Sequence, residues 1–259
     1  MTAKYRWNKS GNSIIIDRSL ATSSTPGKPA KSWFRKSAAE CAVLHASLIA
    51  LAFLCAASVH AAAPRYQVMD LGSLGGPNYY GWFSGVACRL INNNGKAVGG
   101  MDTSMPDPFC FNGDCLTSHA FEWTNSTLTD LGTLEHNDAG NFSQASWIND
   151  QDQVVGLSTY NALGGSGEPI FKAVMWTNGQ MVDLGTLGGN QSFAQSVNNH
   201  GQVVGWALDL VPATDIIWEE YPFPFATRQR ATLWNNGVAI DLGTLGGPSA
   251  WATDINDNG

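Results

Sequence analysis

The sequence runs to 259 residues and carries 14 Lys and Arg against 21 Asp and Glu, a formal net charge of −7. The imbalance is uneven: residues 1–63 hold eight of the basic residues and only two acids, Asp17 and Glu40, so from Pro64 onward the net charge is −13. A domain of that sign repels phosphate backbones and anionic lipid headgroups, which argues against nucleic acid as a partner.

The basic flank has an ordinary cause. Arg35 and Lys36 precede an apolar run from Ala42 to Ala57, and Val59-His60-Ala61-Ala62-Ala63 follows. Basic flank, short apolar core and small residues at a cut site make a secretory signal peptide. It covers 35–61 with cleavage after Ala61, behind an extended polar leader over 1–34. The run is shorter than the roughly 20 residues a membrane span needs, and His45 interrupts it. Leu54 before Cys55 is too large for a lipoprotein cut. The expectation is a chain secreted outside the cell or to its surface, with no stable membrane span once processed. Cleavage leaves Cys88, Cys110 and Cys115, of which Cys110 and Cys115 are spaced to close a small disulfide loop in an oxidising compartment.

From Pro64 the chain repeats. Asp-Leu-Gly-Thr-Leu-Gly-Gly stands at Asp183–Gly189 and Asp241–Gly247, with a serine variant at Asp70–Gly76 and an altered tail from Asp130 to His136. The Asp residues are 60, 53 and 58 apart, which divides 64–259 into repeats near 70–129, 130–182 and 183–240 and a partial one over 241–259. A period of that length is the mark of a stacked or radial array.

Each repeat continues alike. A short segment ends in Ile91-Asn92, Ile148-Asn149, Val197-Asn198 or Ile255-Asn256, and three residues earlier stands Cys88, Ala145, Ala194 or Ala252. Cys88 thus falls at an alanine position and is expected to be buried and inert. An Asn/Asp/Gly turn follows, then a strand through Val98-Gly99, Val155-Gly156 or Val204-Gly205, whose glycine suggests a bulge or a close backbone approach. A connection of variable length leads to a third strand with Trp123, Trp176 or Trp234, and a second Asn/Gly turn to a fourth strand ending in the next Asp-Leu-Gly.

Four short strands per repeat, joined by Asn/Gly turns, are expected to form an all-β, propeller-like array of four-stranded antiparallel blades, three to three and a half units long. Arg65 to Gly72 would be a fourth strand without its first three, and Gly259 falls inside a turn, so the chain reads as part of a larger ring. The Trp residues are expected to pack blade on blade.

The set Asp-Leu-Gly-Thr-Leu-Gly-Gly, Ile-Asn-x-x-Gly-x-Val-Val-Gly and His119-Ala120-Phe121…Trp123 resembles the bacterial extracellular repeats named for the tripeptide His-Ala-Phe, over about Tyr66 to Gly259. Lys172-Ala173-Val174, Arg230-Ala231-Thr232 and Glu135-His136 depart from that pattern. The resemblance implies secretion and repeat architecture. It implies no chemistry and transfers no catalytic residue.

The residues themselves offer little chemistry. The Leu-Gly-Gly segments have neither dinucleotide-loop nor Walker spacing and recur four times, so they are crossovers that need positive φ. Asp254, Asn256 and Asn258 have the alternation of a calcium loop, but Leu90, Trp147 and Ser196 replace Asp254 in the other repeats, so a hairpin turn is the stronger reading and calcium the lesser one. No other cofactor is expected. Glu135-His136-Asn137-Asp138 reads as a solvated loop.

Aromatics outside the repeat pattern are better candidates: Tyr79, Tyr80, Trp82, Trp218, Tyr221, Phe223 and Phe225. They lie in the crossovers and in the second-to-third-strand connections, which strand alternation places on one face. The leading expectation is a secreted, non-enzymatic scaffold that binds an extracellular polysaccharide or a surface protein there. Its alternatives are a polysaccharide-cleaving enzyme using Asp107, Asp114, Glu219 or Glu220, and a non-functional fragment.

Overall fold

The computed structural model describes residues 14–15, 67–80, 88–108, 110, 114–134, 141–163, 169–213 and 227–259. Met1–Asp70 and Leu71–Gly259 are two compact units. In the first, β1 (Ile14–Ile15) pairs antiparallel with β2 (Val68–Met69). The segment expected as a fourth strand completed from the far end of the chain therefore has β1 as its described partner.

The second unit is all-β, with no helix among the described residues. One sheet consists of β3 (Gly75–Tyr80), β4 (Ala97–Pro106), β5 (Leu116–Thr124) and β6 (Thr127–Asp130). The next has β7 (Ser143–Ile148), β8 (Val154–Leu163), β9 (Pro169–Thr177) and β10 (Gln180–Asp183). The third has β11 (Ser192–Val197), β12 (Val203–Pro212), β13 (Thr227–Asn235) and β14 (Val238–Asp241). Each is a four-stranded antiparallel sheet with its strands in chain order, and none closes on itself.

The outer hairpins follow from their turn residues. Asn125 and Ser126, Asn178 and Gly179, and Asn236 and Gly237 all have positive φ, the pair of left-handed positions that a two-residue hairpin matched to strand twist requires. The inner pairing carries a bulge, between Ala145 and Trp147 and again between Ala194 and Ser196. A Cβ on Gly156 would overlap the carbonyl oxygen of Gln144, and one on Gly205 that of Phe193. The repeated glycine is there because the bulged strand crosses too close for any side chain.

Two departures from the expected pattern occur in the first repeat. Its inner strand lies earlier than expected, at β3, where Tyr80 opposite Gly100 takes the register of Phe193 opposite Trp206. The cause is length: Gly76 to Ile91 is fifteen residues, against eight from Gly189 to Val197. Cys88 consequently falls outside the regular strand and is exposed, whereas Ala145 and Ala194 are buried. The expectation that Cys88 fills an alanine site in the core is corrected.

Successive sheets pack face to face. Val98 and Ala120 of the first sheet share a core with Ala145, Ile148, Val154, Val174 and Trp176 of the second. Val155 and Ala173 of the second share one with Ala194, Val197, Val203, Ala207 and Trp234 of the third. Burying the Val and Ile side chains among them contributes roughly 1.5–3 kcal/mol each. Trp176 also donates its Nε1–H, at 3.1 Å, to the carbonyl of Leu131, which directly follows β6 and is bonded through its N–H to Ala120 of the first sheet.

Polar groups stitch the same interfaces. Asn92 donates Nδ2–H to the carbonyl of Asn149, Asn149 to that of Asn198, and Asn198 to that of Asn256, at 3.1, 2.8 and 3.0 Å. The Oδ1 of each of these three Asn meanwhile accepts N–H groups two and four residues on, closing its own turn. Ser143 and Ser192 accept the N–H of Ala120 and Ala173 from the sheet before. The repeat motif is thus largely interface.

Candidate functional site

The far ends of the second strands meet the crossovers. Leu74 bridges Thr103, the Gly189 N–H donates to the Leu208 carbonyl, and Leu210 lies against Gly188. The crossovers and the second-to-third-strand connections therefore share one side of these two sheets. In the second sheet the crossover's Leu134 N–H likewise donates to Ser158 Oγ on β8, and Tyr160, Leu210 and Val211 are exposed on that side, at the ends of β8 and β12. They escape a sequence reading because they sit inside strands that run past their partners. The base of the third connection is fixed by Arg228, whose guanidinium donates to Asp209 at 2.7 Å. Burial alone would raise the Asp209 carboxyl, but the Arg228 and Val211 donors outweigh it and hold the group low.

The described part of the first connection is more elaborate. Cys110 and Cys115 form a disulfide with Cα atoms 4.0 Å apart, both in the left-handed region. Asp107 donates its N–H to the Cys115 carbonyl at 2.7 Å, and Thr103 Oγ1 donates to the Thr117 carbonyl at 2.9 Å. Beneath this hairpin end lies a polar cluster. Asp102, on β4 and 0% exposed, accepts the Asn78 N–H at Oδ2, 3.1 Å away. Asn78 also donates its Nδ2–H to Asp114, whose Oδ1 accepts the Leu116 N–H at 3.1 Å. Asn78 thus bridges the two carboxyls, and Oδ1 of Asp102 has no hydrogen-bond donor. Burial, reinforced by Asp114, pushes the Asp102 carboxyl up to about 7.

Of the sequence candidates, the structure brings Asp114 and Asn78 together with Asp102 and places Tyr79 next to Asn78 in the same strand. Tyr79 is half-buried, its ring 5.9 Å from that of Phe121 and its hydroxyl over Gly99. Burial, helped by Cys88, pushes its phenol up to about 12. It packs a strand and is not presented to solvent as a platform. Tyr80 follows in the same strand. Asp107 is buried. Trp82, Trp218, Glu219, Glu220, Tyr221, Phe223, Phe225 and the segment 135–138 lie outside the described residues.

Asp102 itself was missed. It occupies the position of Thr159 and Leu208 in the other repeats, and an acid where the others bury neutral side chains was the available signal. A second missed arrangement recurs. His119 Nδ1 lies 2.9 Å from Asp130, and Arg230 Nε donates to Asp241 at 3.0 Å. The Asp of Asp-Leu-Gly also accepts the N–H of its own glycine in the second, third and fourth repeats. Burial raises the Asp130 carboxyl, but the His119 and Gly132 bonds prevail and lower it. The constant spacing of eleven residues, including Lys172 to Asp183, was the signal.

Between the first two sheets runs a groove of about 370 Å³, lined in part by Lys96, Glu122, Asp130, Asp152, Trp176 and Met181. Lys96 Nζ lies 3.0 Å from Glu122 and 3.5 Å from Asp152. Asp152 stands where the other repeats have Gly, at φ +61°, and accepts the side-chain amides of Asn92 and Asn94. Burial would raise its carboxyl; those amides and Lys96 outweigh it and hold it low.

Among the described residues no group of three or more His, Cys, Asp or Glu is placed to hold a metal ion. In the calcium-like turn, Asp254 Oδ1 accepts from Ser196 and Ile255, Asn256 Oδ1 accepts the Asn258 N–H, and the Asn256 carbonyl takes the Asn198 amide. Among the described residues no helix is long and apolar enough to cross a membrane. Comparisons with protein-family models, curated proteins and solved structures find no match.

Proposed function

We propose that the protein is a secreted, non-enzymatic repeat scaffold of the His-Ala-Phe type, with its sheets arranged radially like propeller blades. It binds an extracellular polysaccharide or a surface protein through the side where crossovers and second-to-third-strand connections meet. The observation that carries this reading is how the repeated residues are used: the Asn series, Ser143, Ser192 and Trp176 are committed to bonds between sheets. What varies between repeats lies on one side, as expected of a rigid scaffold with adaptable loops. Face-to-face packing and the parallel bridge between Arg89 and Trp147, from the inner segments of successive repeats, support a radial arrangement.

The described candidate acids lend the glycan-cleaving alternative no support. A glycosidase needs two acids facing a substrate across several ångströms, whereas Asp107 is buried and both oxygens of Asp114 accept N–H groups, from Asn78 and Leu116. The test uses the secreted chain against arrays of polysaccharides and of bacterial surface proteins, with product analysis on every glycan retained. Binding without turnover, lost in Tyr160→Ser with Leu210→Ser while the fold persists, is the expected result. Turnover of any glycan, or binding indifferent to those substitutions, overturns the reading.

A further inference from the structure

We propose that Asp102, Asp114 and Asn78 form a proton-dependent clasp, which fixes the end of the β4–β5 hairpin to β3 and releases it when the shared proton is lost. The clasp joins three parts of the chain that the sheet ladder alone does not lock together. Register is interrupted both between Gly75 and Tyr79 and between Asp102 and Pro106. Across that gap Asn78 supplies two donors, its N–H to Asp102 and its Nδ2–H to Asp114, while the Leu116 N–H holds the other oxygen of Asp114. Every oxygen of the pair thus has a donor except Oδ1 of Asp102, and a single proton between the carboxyls completes the set.

With that proton present the cluster has one negative charge and no unmatched acceptor. Without it, two carboxylates are bridged by one asparagine, one of them fully buried, and like charges in such a site cannot both persist. The charged and titratable groups on the packed elements offer no substitute. Tyr79 on β3 is a neutral phenol across the physiological range, His119 on β5 is engaged with Asp130, and Asp107 on the hairpin end would add negative charge. Among the described residues no cation forms an ion pair with Asp102. Burial and Asp114 place the loss of the proton near neutrality, at about 7. The inference is a property of the fold and holds whatever the connections bind.

Amide hydrogen exchange on the secreted chain between pH 5 and pH 9 tests it, read as protection factors of the Asn78 and Leu116 N–H groups. Protection at these two amides is expected to fall by up to about tenfold per pH unit as pH rises from 5 to 7 and to level off above that, while amides of β12 keep theirs. Asp102→Asn supplies a permanent donor in place of the proton, so its profile at the same two amides is expected to be flat. Asp102→Ser removes the titrating carboxyl from β4 altogether, should likewise give a flat profile, and serves if the first variant does not fold. Wild-type protection that is unchanged between pH 5 and pH 7, or a fall that persists in either variant, overturns the clasp.

Discussion

Asn149 makes four hydrogen bonds from one buried side chain. Its Oδ1 accepts the N–H groups of Gln151 and Gln153, and its Nδ2 donates to Gln153 Oε1 and to the Asn198 carbonyl. An amide can do this because it carries donor and acceptor on one planar group; aspartate lacks the donor and alanine both. Asn149→Ala should therefore destabilise the protein by about 2–3 kcal/mol, since it leaves buried main-chain groups unmatched. Chemical denaturation of the two proteins measures this. Asp152 is a different trade. Its left-handed backbone costs about 1 kcal/mol that glycine would not incur, and its carboxylate recovers bonds to Asn92, Asn94 and Lys96. Because the folded-state pKa lies below the unfolded one, that stabilisation is present above the unfolded value and fades as pH falls through the folded value. Asp152→Gly should accordingly gain on the wild type as pH drops from 6 to 3, in paired thermal melts. A constant difference across that range would contradict the assignment.

The same motif has different consequences in different sheets. Leu187 packs against the core shared by the second and third sheets, whereas its counterpart Leu245 is fully exposed. Leu187→Ala should cost about 2 kcal/mol and Leu245→Ala next to nothing, by denaturant titration. The disulfide closes a span of five residues, so breaking it with paired Cys→Ser changes should cost about 2 kcal/mol at most. Its effect should appear as lost protection at Cys115 and Leu116, with β8 and β12 unchanged. Much of this layer could be read in the sequence. Asn178-Gly179 and Asn236-Gly237 specify tight hairpins by backbone preference alone, and Gly156 and Gly205 announce a close crossing. What could not be read depended on chain length or on contacts between distant residues. The longer link in the first repeat moved the inner strand to β3 and left Cys88 outside it. Asp102 finds Asp114 and Asn78 only across two register interruptions. The pairing of His119 with Asp130 needed the antiparallel register of β5 and β6 before its spacing acquired meaning.

At the scale of the whole chain, charge and stacking dominate. With a net charge of −13 from Pro64 onward, a chain beginning at Pro64 should pass unretained over immobilised DNA at low salt, where electrostatic attraction would be strongest. Retention there would require a local basic patch that the six Lys and Arg of this region, four of them in ion pairs with acids, do not provide. The stacking is what makes a binding scaffold plausible: each sheet has a hydrophobic face it cannot cover alone, and the Asn series fixes its neighbour at one height. The most direct test is a methyl-resolved nuclear Overhauser spectrum of the folded chain. Cross-peaks are expected from the Val98 and Ala120 methyls to those of Ala145, Ile148 and Val154, and from Val155 to Val197 and Val203. Methyls that see only partners within their own four-stranded sheet would contradict the stacked arrangement.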